Sequence, residues 1–212
     1  MKLLENISEA LQQGKTKEVT NLVFDAIAKG FSAQEILDFG LLDGMSKIGV
    51  KFKNNEVYVP EVLIAARALN KGTELIKAKL LEEGVEPIGK AVICTVKGDM
   101  HDIGKNLVKM MLEGSGFEVT DLGMDVDVDE IIKAVEEIKP QVLLLSTLLT
   151  TTMEQQRIVI ESLKTAGLRD TVKVMVGGAP INQAFADEIG ADAYSPDAAS
   201  AAETARFLTS QG

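Results

Sequence analysis

Between Glu83 and Gly89 the chain changes its hydrophobic period, and this change constrains the fold more than any other feature of the sequence. Through residues 1–84 apolar side chains recur at spacings of three and four with polar residues between them, which is the period of amphipathic helices. Gly14 and Gly30 stand where helices would end. Ser32-Ala33-Gln34-Glu35 has capping-box spacing ahead of Ile36, Leu37, Phe39, Leu41 and Leu42, and Pro60 suits the first turn of a last helix that runs to about Glu82. Four helices joined by short turns predict an all-α four-helix bundle over 1–84. From Lys90 onward, short β-rich runs alternate with amphipathic segments. Strands are expected at 91–96, 118–122, 141–146, 172–176 and 193–194, with helices near 104–115, 128–138, 152–166, 182–189 and 198–209. Continuous apolar runs such as Val142-Leu143-Leu144-Leu145 suit strands buried on both faces, so residues 85–212 predict a doubly wound α/β domain with a five-stranded parallel sheet, order 2-1-3-4-5. The segment Glu83 to Gly89 is the expected linker, since Gly and Pro interrupt both periods there.

Composition narrows the function classes. At 212 residues and 46% hydrophobic the chain can bury a substantial core, and its formal charge of −10, with Lys and Arg scattered, disfavours nucleic acid and anionic membrane as partners. One cysteine, Cys94, permits no internal disulfide. Met1-Lys2-Leu3-Leu4-Glu5 breaks any signal-peptide apolar region, and no apolar stretch approaches the roughly 20 residues of a membrane span, so a cytoplasmic protein is expected. His101 is the only histidine. One imidazole cannot build a multi-histidine metal site, so any metal held here must bring most of its own ligands.

In an open α/β sheet, ligands bind beyond the carboxyl ends of the strands, where strand order reverses. With order 2-1-3-4-5 that point lies between the first and third strands. The tip of the first carries Asp99-Met100-His101-Asp102-Ile103-Gly104, and the tip of the third carries Ser146-Thr147-Leu148 and then Thr150-Thr151-Thr152. The fourth ends in Gly177-Gly178, where missing side chains would let a bulky group lie against the backbone. Each element also has a purely structural reading: a solvated histidine, a helix-capping Asp99, a strand-end Ser146 hydroxyl, a tight turn at Gly177-Gly178. A phosphate loop at Gly98 to Gly104-Lys105 is one residue too long, and Asn106 replaces its Ser/Thr. A phosphorylated receiver domain would need an aspartate where Ser146 stands.

Taken together, Asp99-x-His101-x-x-Gly104, Ser146-x-Leu148 after a further 41 residues and Gly177-Gly178 after 28 more resemble the B12-binding signature of methylcobalamin-type corrinoid proteins. The helical half, including the segment from Val59-Pro60-Glu61 to Ala68, resembles the cap preceding this flavodoxin- or Rossmann-like domain in methionine synthase and in small corrinoid proteins of methyltransferase systems. The resemblance covers almost the whole chain. It implies a cobalamin or related corrinoid bound with its benzimidazole tail detached from cobalt and threaded into the sheet crevice, with His101 as lower axial cobalt ligand. The corrin supplies four equatorial nitrogens, so one imidazole suffices. Asp99 would hold the other imidazole nitrogen and Ser146 would hydrogen-bond Asp99, giving an axial-ligand relay that eases release of the histidine as methyl-Co(III) becomes four-coordinate Co(I). Met100, Asp102, Ile103 and Gly104 would lie against the corrinoid, Gly177 and Gly178 would flank its tail, and Leu148, Thr150 and neighbouring threonines would line the benzimidazole pocket. In the cap, Tyr58, Val59, Val62 and Leu63 are expected to face the upper side of the corrin.

The function implied is a methyl carrier more than an enzyme, because a chain of this length leaves no room for a substrate-binding barrel. Its implied partners are a substrate-specific methyltransferase, a methylcorrinoid:acceptor methyltransferase using tetrahydrofolate or coenzyme M, and a reductive activase. Methylamines, betaines, methanol and aryl methyl ethers all remain open as methyl donors. Two other readings stand beside it: a B12-dependent sensor, for which this acidic chain offers no DNA-binding segment, and the B12 subunit of an adenosylcobalamin mutase, against which the helical cap argues.

Overall fold

The computed structural model describes residues 1–210. The chain divides into two compact units, Met1–Pro87 with Gly114–Gly116, and Ile88–Glu113 with Phe117–Gly212.

The first unit is helical. It contains α1 (Lys2–Gln12), α2 (Thr16–Ala28), α3 (Ala33–Ile36), α4 (Asp43–Lys53) and α5 (Val59–Glu82). A π-helical turn over Leu37–Leu42 joins α3 to α4 without a break in helical backbone, so the unit has four rods, as the hydrophobic period predicts. The expected capping box is present: Ser32 Oγ accepts from the Glu35 N–H at 3.0 Å, and the Glu35 carboxylate accepts from the Ser32 N–H at 2.9 Å. Glu83 adds a second carboxylate at the same helix start, accepting from the Ala33 N–H at 2.8 Å. Along α5 the buried stripe is Val62, Ala65, Ala66, Leu69 and Ile76, positions three, four and seven apart. Gly72 also falls in that stripe, where Leu41 leaves no room for a side chain: a Cβ on Gly72 would stand 2.5 Å from Leu41 Cδ2.

The second unit alternates strand and helix: β1 (Gly89–Val96), α6 (Ile103–Glu113), β2 (Phe117–Val126), α7 (Val128–Ile138), β3 (Val142–Ser146), α8 (Met153–Thr165), β4 (Lys173–Gly177), α9 (Gln183–Ile189), β5 (Ala193–Tyr194) and α10 (Ala198–Ser210). The sheet is all parallel with order β2-β1-β3-β4-β5, matching the expected doubly wound topology. Alternate strand residues serve opposite faces. Val92, Cys94, Leu143, Leu145, Val174 and Val176 are buried in a core with residues of α7, α8 and α9. The alternate residues Ile93, Leu144 and Met175 stand in register across β1, β3 and β4 on the face of α6 and α10. One strand departs from expectation. β2 continues to Val126 instead of ending near Leu122, because two register shifts against β1 absorb residues that read in sequence as a turn.

Candidate functional site

Three strand ends converge on Asp99. β1 ends at Val96, and the chain turns through Gly98 so that Asp99 lies under the tip of β3 with no solvent exposure. Its Oδ1 accepts from the backbone N–H of His101 at 3.1 Å and faces His101 Nδ1 at 2.7 Å. Its Oδ2 accepts from the N–H groups of Leu148 (2.7 Å) and Leu149 (3.2 Å) and from the hydroxyls of Thr147 and Thr152, both at 3.0 Å. Burial pushes this carboxyl up, but the Leu148 N–H, the His101 ring and the His101 and Leu149 N–H groups outweigh it. Asp99 is held well below the usual carboxylate range. An ionised Asp99 can only accept, so Nδ1 carries the proton and donates to it. That leaves Nε2 as the imidazole's lone-pair nitrogen, on a side chain half exposed to solvent.

Beside this histidine lies a cavity of about 700 Å³. Its floor is the row Ile93, Leu144 and Met175, its far wall includes Val108 of α6 and Ala201 of α10, and its mouth carries His101 and Gly177. Protein interiors seldom leave voids larger than a water molecule, whereas sites for cofactors commonly reach several hundred Å³. On the α10 side the wall is the small side chain of Ala201, in a helix whose buried face is all alanine. Two further features mark it as a ligand site. Ser195, past the end of β5, lines the cavity with a hydroxyl that is buried and has no hydrogen-bond partner. Around His101, Met100, Ile103, Leu148 and Leu149 leave apolar surface exposed. No group of three or more His, Cys, Asp and Glu side chains capable of holding a metal occurs among the described residues. A flat macrocyclic metal complex with a long substituent fits this donor set: one imidazole nitrogen for the metal, an apolar rim for the ring, and a deep slot for the substituent.

Most residues expected at the site are there. Met100, His101, Asp102, Ile103, Gly104, Ser146, Leu148, Gly177 and Gly178 all line the cavity. Asp102 also opens α6, its carboxylate accepting from Asn106 Nδ2 at 2.9 Å and its carbonyl from the Asn106 N–H at 2.7 Å. Gly104 faces open space, with nothing within 4 Å of where a Cβ would sit.

Four expectations need correction. Ser146 does not reach Asp99: as the last residue of β3 it pairs with Thr95 and Gly177, and the hydroxyls on Asp99 belong to Thr147 and Thr152, which the following turn brings inward. Thr150 is exposed and outside the cavity, since the short 3₁₀ turn Thr150–Thr152 buries Thr152 instead. Gly178, at φ +124°, is bare chiefly to admit the chain itself, because a Cβ there would overlap the carbonyl oxygen of Thr147. Val62 is fully buried in the core stripe of α5 and offers no surface to a ligand, whereas Tyr58 and Leu63 are exposed and Val59 is half-buried. Residue type and spacing singled out Ser146 over Thr147, because only the turn geometry distinguishes them. Ser195 and the α10 alanines carried no sequence signal beyond small size. Lys105, the lysine of the phosphate-loop reading, is buried and bonded to both Asp121 oxygens at 2.7 and 2.6 Å, so it is not free to hold phosphate.

Known proteins share this arrangement. A family model described as a B12 binding domain matches residues 89–204, and another so described matches residues 3–77. The chain is 42% identical over 206 residues to dimethylamine corrinoid protein 3 of Methanosarcina acetivorans, covering 97% of this chain and 96% of that one. It is 44% identical over 184 residues to the trimethylamine corrinoid protein of Methanosarcina barkeri, covering 86% and 83%. Among solved structures it is similar to the methanol:cobalamin methyltransferase complex MtaBC of Methanosarcina barkeri, with a TM-score of 0.89 and 30% identity over 100% of this chain and 81% of that one. It is also similar to a cobalamin-binding protein of Desulfitobacterium hafniense DCB-2, with a TM-score of 0.81 and 33% identity over 97% and 98%. Matched along nearly its whole length, with B12-binding models over both the helical half and the sheet domain, the chain belongs to the B12-binding corrinoid proteins.

Proposed function

We propose that this protein is a methyl carrier in which His101 Nε2 would hold the cobalt of a corrinoid and the cavity beside β1, β3 and β4 would take its nucleotide tail. The observation that supports it most directly is the division of labour on one ring: Nδ1 is committed to a buried carboxylate, while Nε2 is unpartnered at the mouth of a 700 Å³ slot. When bound, the corrinoid supplies a cobalt that can accept and give up a methyl group. The chain's own residues do the rest. Asp99 fixes the tautomer and ring orientation of His101 and raises its basicity as a donor, as hydrogen-bonded carboxylates do for ligating histidines. Thr147, Thr152 and the N–H groups of Leu148 and Leu149 fix Asp99 in turn, and so hold the proton of the Asp99–His101 pair on Nδ1. Ser195 gives a buried hydroxyl to the tail, and the apolar rim excludes water beneath the ring.

In this reading residues 1–84 form the cap and 85–212 the corrinoid-binding domain. The partners are a substrate:corrinoid methyltransferase, a methylcorrinoid:acceptor methyltransferase and a reductive activase, in the cytoplasm. The relatives named above for dimethylamine and trimethylamine are 42% and 44% identical, against 30% for the methanol system, which favours a methylated amine as methyl donor. The test is reconstitution with hydroxocobalamin followed by absorption and EPR spectroscopy of the Co(II) form. Nitrogen hyperfine coupling from one imidazole is expected in the wild type and should vanish in His101→Gly. Identical spectra for the two proteins, or no corrinoid binding by the wild type, would overturn the assignment.

A further inference from the structure

The tip of β2 is built in a way that sheet pairing does not require. Against β1 the register runs Ile93 with Asp121, Cys94 with Gly123 and Val96 with Val126, so β2 gains one residue twice within a few positions. Both insertions use left-handed backbone: Gly123 at φ +93° and Asp125 at φ +53°. Glycine takes such a conformation without cost, whereas an aspartate does so only against steric resistance. At position 125, then, something other than backbone ease accounts for the side chain.

That side chain reaches the loop that carries the histidine. Asp125 Oδ1 accepts from the Gly98 N–H at 2.8 Å, and the Asp125 N–H donates to the carbonyl of Asp99 at 3.0 Å. Together the two bonds hold the peptide groups on either side of the Gly98–Asp99 pair, Lys97–Gly98 through its N–H and Asp99–Met100 through its carbonyl. Lys97 Nζ stands 3.4 Å from Asp125 Oδ1 and 3.0 Å from Asp127 Oδ2, between the two carboxylates at the strand tip. The chain of contact runs from Asp125 to the Gly98–Asp99 backbone, then through the Asp99 carboxylate to both the N–H and Nδ1 of His101. Asp125 itself does not line the cavity. It is two peptides and one carboxylate away from the imidazole, at the edge of the sheet opposite β3.

We propose that Asp125 is a positioning residue for His101: by holding the Gly98 N–H and the Asp99 carbonyl it fixes where the buried carboxylate lies, and so where Nε2 points. The proposal rests on His101 being the corrinoid ligand, but its first consequence concerns the protein without any corrinoid. Because His101 is the only histidine, its ring gives a single pair of nitrogen signals in a long-range ¹H–¹⁵N spectrum. In the wild type at mildly alkaline pH a single sharp Nδ1–H tautomer is expected. Asp125→Gly, which frees the backbone and removes the acceptor, should keep a cooperative melt while the ring signals broaden or shift toward a tautomer mixture. Its affinity for hydroxocobalamin should fall by about tenfold or more, the range seen when supports of metal ligands are removed. Asp125→Asn, which keeps an acceptor oxygen and tolerates the left-handed backbone, should restore both readouts. An Asp125→Gly protein with the wild-type tautomer and wild-type affinity would overturn the proposal. Hydrogen exchange at the Gly98 N–H of the wild type tests it even if that variant does not fold: slow exchange is required, and exchange at the rate of an open loop would refute it. A wild type with an ordered ring that binds no hydroxocobalamin would instead refute the carrier reading and leave the clamp standing.

Discussion

Asp99 is a charged group without solvent contact, and such a group survives only when its hydrogen bonds replace water. Six donors supply that replacement, four on Oδ2 and two on Oδ1. The arrangement makes a distinguishing prediction about the threonines. Thr152→Val keeps the shape and removes a hydroxyl that serves Asp99, so hydroxocobalamin affinity, read by absorption titration, should fall about tenfold. Ser146→Ala should weaken it less, because Ser146 touches the cavity and not the carboxylate. A pH dependence follows from the same site. The Asp99 carboxyl titrates lower in the folded protein than in the unfolded chain, so its contribution to stability is complete above the unfolded value of about 4 and is lost as pH falls below it. Urea midpoints of the wild type should therefore decline more steeply below about pH 4 than those of Asp99→Asn, which has no charge to lose.

At the scale of elements, the slot is made by α10 and by the sheet row beneath it. Ile93, Leu144 and Met175 would normally meet large side chains from a covering helix, but here α10 presents only Ala201 to the cavity. A side chain large enough to fill that space should block the ligand without harming the fold. Ala201→Phe is expected to bury its ring against Leu144 and Met175, keep or raise the apo-protein Tm, and abolish hydroxocobalamin binding. A variant that binds as tightly as the wild type would place the corrinoid tail elsewhere. The β2 tip and the β3 turn act as the two jaws on the loop between them. Both are irregular backbone, and both owe their form to the residues that follow regular strand pairing: Gly123 and Asp125 on one side, Thr147 and Thr152 on the other.

For the whole molecule, a cavity of this size is apolar surface that the folded chain leaves without a partner, and a ligand that fills it stabilises the native state alone. Hydroxocobalamin at about 100 times its Kd should add about 2.7 kcal/mol, and the Tm should climb with ligand concentration. Calorimetry with and without corrinoid checks this directly. His101→Gly should keep part of the shift, from the tail in the slot, and lose the part that depends on the axial bond. A Tm independent of corrinoid concentration would contradict the slot as the tail's binding place.

The change of hydrophobic period near Gly84, the runs of Val, Leu and Ile that become β1, β3 and β4, and the capping pattern at Ser32 determine the two architectures from sequence alone, because they depend on local spacing and on which faces must leave water. The pairing of Asp99 with His101 was legible through the resemblance of Asp99-x-His101-x-x-Gly104 to the B12-binding signature, and two residues of separation on one loop keep carboxylate and imidazole within reach. Tertiary structure alone decided the partners of that carboxylate. Thr147 and Thr152 lie about 50 residues away, and only the turn after β3 chooses them over Ser146. It also gave Gly178 to the approach of Thr147, Val62 to the helical core, and Ser195 and Ala201 to the slot. Periodicity reports which side of an element is buried, but not what it is buried against. That depends on distances between segments remote in sequence, which the packing of the whole domain sets.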